Sequence, residues 1–244
     1  MPERSLKPGC LGHSLRWIRR GCIIMLAFVV SSGCLVASIR FINPPRTPLM
    51  IIRALGSRTI DYRWKPLDQI APGLQQAVMA AEDQRFIDHD GFDWNEIQNA
   101  LEENESRKKP RGASTISMQV ARNLFLWPGG GWFRKGLEAY FTVLLETCCS
   151  KYRIMEIYLN VAEWGPGIFG AEAAADFHFH KPAARLTIRE SAALAAVLPS
   201  PNKWSPSKPG PYLQKRIETI VSMMDRFKPI PPSEKVRQPH RSTR

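Results

Sequence analysis

From Gly21 to Ile39 the chain carries no charged residue, and Arg20 and Arg40 stand at the two ends of the run. About 20 apolar residues at roughly 1.5 Å each cross the hydrocarbon core of a bilayer. Ahead of the run stand Arg4, Lys7, Arg16, Arg19 and Arg20, opposed only by Glu3. The positive-inside rule then predicts a basic cytoplasmic segment over 1–20, a transmembrane anchor over 21–40, and everything later outside. A cleaved signal peptide would want a shorter apolar run and a small-residue cleavage site, for which Val36-Ala37-Ser38 is poor. A lipid attached at Cys34 would want an aliphatic residue where Ser31 stands. A buried soluble helix would show a polar face, and this run has none. The retained anchor is the preferred reading.

The remainder is built to fold. Of 244 residues, 44% are hydrophobic and 23% charged, which excludes disordered, collagenous and coiled-coil chains. A net charge of +12 points to a polyanionic partner: nucleic acid, anionic lipid or a phosphorylated substrate. Nucleic acid fails on topology, because the body faces away from the cytoplasm. Five cysteines imply no disulfide framework. Cys22 and Cys34 fall in the anchor, and Cys148 and Cys149 read as packing residues on a helix.

Pro44, Pro45 and Pro48 mark residues 41–60 as a stalk. Beyond it, helical spacing dominates. Pro72 opens a helix through Leu74, Ala77, Val78 and Ala81, and Trp94, Ile97 and Leu101 suggest a second. Phe133, Leu137, Tyr140, Phe141, Leu144 and Leu145 predict a long third, which Ile154, Ile157 and Tyr158 extend or follow. Residues 190–198 read as a buried alanine-rich helix, and 212–227 as the last. The expectation is one mostly helical domain over 61–228. A polar loop is expected over 102–111 and a disordered polar tail over 229–244.

Two carboxylates stand out by setting. Glu82, next to Asp83, ends an apolar helix and runs into Phe86, His89 and Gly91. Glu138 lies within the third helix, four residues after Arg134 and three after Lys135, spacings that share one helix side. An acid closing a hydrophobic helix suits proton transfer, and one beside two cations keeps its charge. Read alone, the second set is more often an ordinary surface ion pair. Gly112-Ala113-Ser114-Thr115 precedes an amphipathic helix with Gln119, Arg122 and Asn123, where Ser or Thr would cap the helix and free N–H groups would also suit a phosphate. Two Ser-x-x-Lys matches, at Ser200 and Ser205, fall in a proline-rich turn without a Lys-Thr-Gly element. His178 and His180 lack a third metal ligand.

Five segments in order carry a resemblance: Glu82 to Gly91, Gly112 to Gln119, Arg134 to Glu138, Lys151 to Asn160, and Ala195 to Pro199. Together they resemble the peptidoglycan glycosyltransferase family in its monofunctional, membrane-anchored biosynthetic form, over about 60–210. The resemblance implies a lysozyme-like, mostly helical glycosyltransferase domain behind a single N-terminal transmembrane helix, with a jaw lying against the membrane. It implies polymerisation of lipid II into glycan strands with release of undecaprenyl diphosphate, outside the cytoplasmic (inner) membrane. By resemblance, Glu82 is the general base and Glu138 the second essential acid. Asp83, Phe86, His89, Ser114, Thr115, Gln119, Arg122, Arg134 and Lys135 match substrate-binding positions. No cofactor is certain from this, although a divalent ion such as Mg²⁺ could share the charge of the donor diphosphate. Other wall-synthesis proteins are expected partners, and with no length left for a transpeptidase domain, cross-linking is expected from one of them.

Three positions depart from the family pattern. Gly130 stands where many relatives carry an arginine that helps hold the donor phosphates. Met118 replaces a glutamine, and His180 replaces a glycine before Lys181. Two other readings stay open: a non-catalytic scaffold, which Gly130 would favour, and a lysozyme-like glycan-cleaving enzyme.

Overall fold

The computed structural model describes residues 9–56, 59–105 and 112–231. The apolar run lies within a single helix, α1 (Gly9–Ile39), whose stretch from Arg16 to Ile39 is long and apolar enough to cross a membrane. Ile23, Ile24, Met25, Leu26 and Val30 stand exposed along it, which suits a helix whose neighbour is lipid. Among the described residues it is buried toward its C-terminal end, at Ser32, Val36 and Ile39. Phe28 stacks on Tyr140 with ring centroids 5.7 Å apart. The hydroxyls of Ser32 and Tyr140 are hydrogen-bonded at 2.7 Å.

Eight of the twenty residues of the expected stalk form a helix, α2 (Pro48–Leu55). Thr47 caps it by accepting from the Met50 N–H, and Met50 is fully buried. Pro48 occupies the first turn, where proline costs no hydrogen bond; here it starts a helix rather than interrupting one.

The predicted helices follow as α3 (Pro72–Glu82), α4 (Trp94–Asn104), α5 (Ile116–Phe125), α6 (Trp132–Cys148), α7 (Lys151–Val161), α9 (Ile188–Val197) and α10 (Pro211–Met224). Between α7 and α9 lies α8 (Ala171–Phe179), which the periodicity did not single out because four of its nine residues are alanine. Cys149 is extended and Ser150 accepts from the Arg153 N–H, so α7 begins afresh rather than continuing α6. Three very short strands, β1 (Asp61–Tyr62), β2 (Glu163–Gly165) and β3 (Ile168–Phe169), form a sheet ordered β1-β3-β2. β1 runs parallel to β3, and β2 antiparallel. Two or three residues are too few for alternation to register in a sequence. Gly170 closes this corner at φ +84°, with the Asn160 carbonyl 2.8 Å from where a Cβ would stand, so no larger residue fits.

The core has two halves. In one, α3, α9 and α10 pack together; Ala192, Ala193, Ala195 and Ala196 are buried and let the helices approach closely. In the other, α5 lies against both α6 and α7. Of the expected polar loop, residues 102–104 belong to α4, and 106–111 lie outside the described residues. The start of the expected tail is packed: Ile230 is buried, and its N–H donates to Gln75 Oε1 at 3.1 Å. Residues 232–244 lie outside the described residues. Cys148 and Cys149 are free thiols, and burial pushes Cys149 up to about 12, which keeps it protonated and unreactive.

Candidate active site

α3 stops at Glu82 because the next residue turns its side chain inward. Asp83 is buried, and its carboxylate accepts from the Ile116 N–H at 2.9 Å, tying the end of α3 to the start of α5. The same carboxylate meets His89 Nε2 at 3.0 and 3.1 Å. His89 Nδ1 accepts from the Gly91 N–H at 3.1 Å, so the ring proton lies on Nε2 and is donated to Asp83. Thr115 completes the joint: its hydroxyl donates to the Gly91 carbonyl at 2.6 Å and accepts from the Met118 N–H, capping α5. Gly91 has φ +92°, and a Cβ there would stand 2.7 Å from Thr142 Cγ2.

Beneath this turn, Lys151 Nζ donates to the His89 carbonyl at 2.5 Å and to Glu146 at 2.7 Å. It also lies 4.6 Å from the centroid of the Phe86 ring. Phe86 and His89 are therefore inner supports of the loop, both buried, and not walls of the cleft in front of it.

That cleft measures about 790 Å³. Glu82, Asp83, Ser114, Thr115, Gln119 and Arg122 all line it, so the first two motifs share one concavity. Arg216 of α10 lines it too and was not among the sequence candidates. Glu82 Oε2 accepts from Gln119 Nε2 at 2.9 Å, and Gln119 Oε1 accepts from the buried Tyr158 hydroxyl at 3.3 Å. This chain sets which way the Gln119 amide faces and aims its N–H at Glu82. Arg216 Nη2 stands 3.7 Å from Glu82 Oε1. Even so, burial raises Glu82 above its ordinary value, outweighing the Gln119 hydrogen bond and the charges of Arg216 and Arg122. A desolvated carboxylate held by one amide and flanked by arginines is equipped to accept a proton more readily than an exposed one.

The second acid sits elsewhere. Glu138 is buried on α6, with Arg134 Nη1 at 3.1 Å and Lys135 Nζ at 2.5 Å from its carboxylate. None of these three lines the cleft around Glu82. One buried acid against two bases leaves a positive surplus on the first turns of α6, with Lys135 about half exposed. In the loop before it, Gly129 and Gly131 have φ of +125° and +117°, while a Cβ at Gly130 would meet open space. Gly130 therefore contributes no charge but creates no steric need for glycine.

Sequence reasoning had no handle on Arg216 or on the Glu146–Lys151 support. Arg216 looks like any surface arginine of an amphipathic helix until α10 packs against α3. Lys151 and Tyr158 lay in the fourth motif without a role.

Comparison with known proteins adds identity to geometry. The transglycosylase family model matches residues 50–225, which takes in the residues of the cleft and of the Glu138 cluster. A biosynthetic peptidoglycan transglycosylase of Caulobacter vibrioides is 53% identical over 212 residues, covering 86% of this chain and 93% of that protein. One from Pseudomonas aeruginosa is 50% identical over 206 residues, covering 82% and 89%. One from Bacteroides thetaiotaomicron is 44% identical over 236 residues, covering 94% of each. A match of this extent, on a helical domain whose first two motifs share one cleft, means that the chain belongs to the transglycosylase family.

Proposed function

We propose that this chain is a peptidoglycan glycosyltransferase that joins lipid II units into glycan strands and releases undecaprenyl diphosphate. The observation that carries the reading is Glu82: a carboxylate raised by burial, oriented by Gln119 and open to a cleft of about 790 Å³. In the proposed step the acceptor's sugar 4-hydroxyl attacks the anomeric carbon of the lipid-linked donor. The bond from that carbon to the diphosphate oxygen breaks, and the hydroxyl proton passes to Glu82. Attack opposite the leaving group inverts the anomeric centre with one base and no covalent intermediate.

The departing diphosphate gathers negative charge, so fixed cations lower the barrier. Arg122 in the cleft and the Arg134–Lys135 pair on α6 are the groups proposed for this, with Glu138 holding the pair in place. Ser114 and Thr115 lie in the loop that opens α5, where substrate polar groups would be received. A divalent ion such as Mg²⁺ would be held chiefly by the diphosphate itself. Among the described residues no group of three or more His, Cys, Asp or Glu is arranged to bind a metal. No step above depends on one.

The membrane placement is part of the same reading. α1 is compatible with a single-pass anchor, and the excess of basic residues before it favours a cytoplasmic N-terminus with the domain outside the inner membrane. α6 rests on α1, and Trp132 and Phe133 at its start are 93% and 75% exposed. Large apolar groups left uncovered beside an anchor suit a surface laid against lipid, where a lipid-linked substrate would be met.

The test is polymerisation of labelled lipid II by the full-length protein in detergent. Wild type is expected to give long glycan, and Glu82→Gln none; full activity in the variant would overturn the assignment. The non-catalytic reading has Gly130 in its favour and predicts that wild type is silent while Gly130→Arg gains activity.

A further inference from the structure

Just past the end of the apolar run, a second cavity of about 350 Å³ opens between the chain leaving α1 and the domain. It shares no lining residue with the cleft at Glu82. Arg40, Phe41 and Asn43 wall it from the anchor side, and Trp64, Tyr152 and Arg153 from the domain.

The charges at this cavity are not equivalent. Arg153 is committed: its guanidinium donates to the Ile39 carbonyl at 2.9 and 3.0 Å and to the Ile42 carbonyl at 3.1 Å. It also pairs with Glu156 and lies 5.2 Å from the Trp64 ring centroid. Glu156 spends its other oxygen on the Leu67 N–H at 2.9 Å. The one acid in the wall is thus neutralised. Arg40, by contrast, is exposed, and its guanidinium makes no hydrogen bond or ion pair with the described residues. It rests 5.4 Å from the Phe41 ring centroid. Two cations against one anion leave a single positive charge in the wall of the cavity.

We propose that this cavity binds the phosphate of an anionic membrane lipid, so that the headgroup bridges the anchor and the catalytic domain. The inference rests on reading α1 as a membrane span. Arg40 ends the apolar run, which sets it at headgroup depth, where basic residues attract anionic lipid and Trp and Tyr rings collect. A guanidinium with free donors recognises a phosphate oxygen through charge-assisted hydrogen bonds, and Asn43 adds an amide beside it. Phe41, Trp64 and Tyr152 offer apolar surface to the glycerol and upper acyl carbons. Soluble phosphate has the same anionic chemistry without the apolar part, so the two sources can be told apart.

The experiment uses the full-length protein in nanodiscs and in detergent. Lipid retention is read by native mass spectrometry, with phosphatidylglycerol and phosphatidylcholine supplied in equal amounts. Wild type should retain phosphatidylglycerol preferentially, and Arg40→Gln should weaken that retention roughly five- to tenfold, the scale of one charge-assisted contact. Arg46→Gln removes an equal charge six residues along the chain but outside the cavity wall, and should change retention less than twofold. Equal losses in the two variants would mean diffuse attraction and overturn the site. No preference for phosphatidylglycerol in wild type would overturn it as well. Displacement of the lipid by millimolar inorganic phosphate would overturn the lipid as ligand in favour of a free anion. Alkaline extraction of the source membranes separates the two readings. A chain washed off would overturn the anchor and this inference together, whereas an integrated chain without preference overturns the cavity alone.

Discussion

In the proposed mechanism Glu82 sets stability against chemistry within a single side chain. Its carboxylate is raised by burial, so the folded chain holds that proton more tightly than the unfolded chain does. Below the ordinary carboxylate range, about pH 4, both states are protonated and the residue is neutral toward stability. As pH rises past that range the unfolded state ionises first, and stability is lost until the folded value is also passed. Glu82→Gln should therefore melt higher than wild type at pH 7.5 in thermal unfolding, and the gap should close near pH 4. The same variant should lose at least about 10²-fold in polymerisation rate, the scale of a missing general base. Arg216 works on this group from α10, and its charge lowers Glu82. Arg216→Gln should shift the acid limb of the pH–rate profile upward, while a purely structural loss would lower the rate without moving that limb. The sequence supplied Glu82 and Gln119 as candidates, but not their hydrogen bond or Arg216, because residues from three helices meet only after packing.

Among the elements, the joint between α3 and α5 is the one most exposed to substitution. Asp83, His89, Gly91 and Thr115 close it with buried hydrogen bonds, and Gly91 holds a left-handed φ against Thr142. Gly91→Ala adds a methyl group into a 2.7 Å approach at that φ, and should cost about 2–3 kcal/mol in chemical denaturation. Capping is a milder control. Thr187 and Glu190 form a reciprocal capping box at α9, so Thr187→Ala should cost about 1 kcal/mol and leave activity intact. The helices themselves were legible from apolar spacing at 3.6 residues. α2 and α8 were not: Pro48 reads as a breaker unless its place in the first turn is known, and alanines carry little periodic signal. The β1–β3 sheet escaped because its strands are shorter than one alternation pattern needs.

For the molecule as a whole, the anchor is not a tether on a loose stalk. Arg153 of α7 grips the carbonyls of Ile39 and Ile42, and Ser32 and Phe28 meet Tyr140 on α6. Domain and membrane helix are thereby held at a set angle. Arg153→Met should free that joint and leave Glu156 buried without its partner, costing on the order of 3 kcal/mol in detergent denaturation. It should also speed hydrogen exchange at residues 40–43. What the sequence alone determined was the local and the chemical: an apolar run sized for a bilayer, the charges that flank it, the helices, and the ordered motifs naming a family. Those properties depend on neighbours along the chain or on residue identity. Tertiary structure decided which residues share a cavity, which acid is raised by burial, which motif residues brace the loop from within, and how the anchor meets the domain. Burial and electrostatic coupling depend on distances between segments far apart in sequence, and folding alone sets those distances.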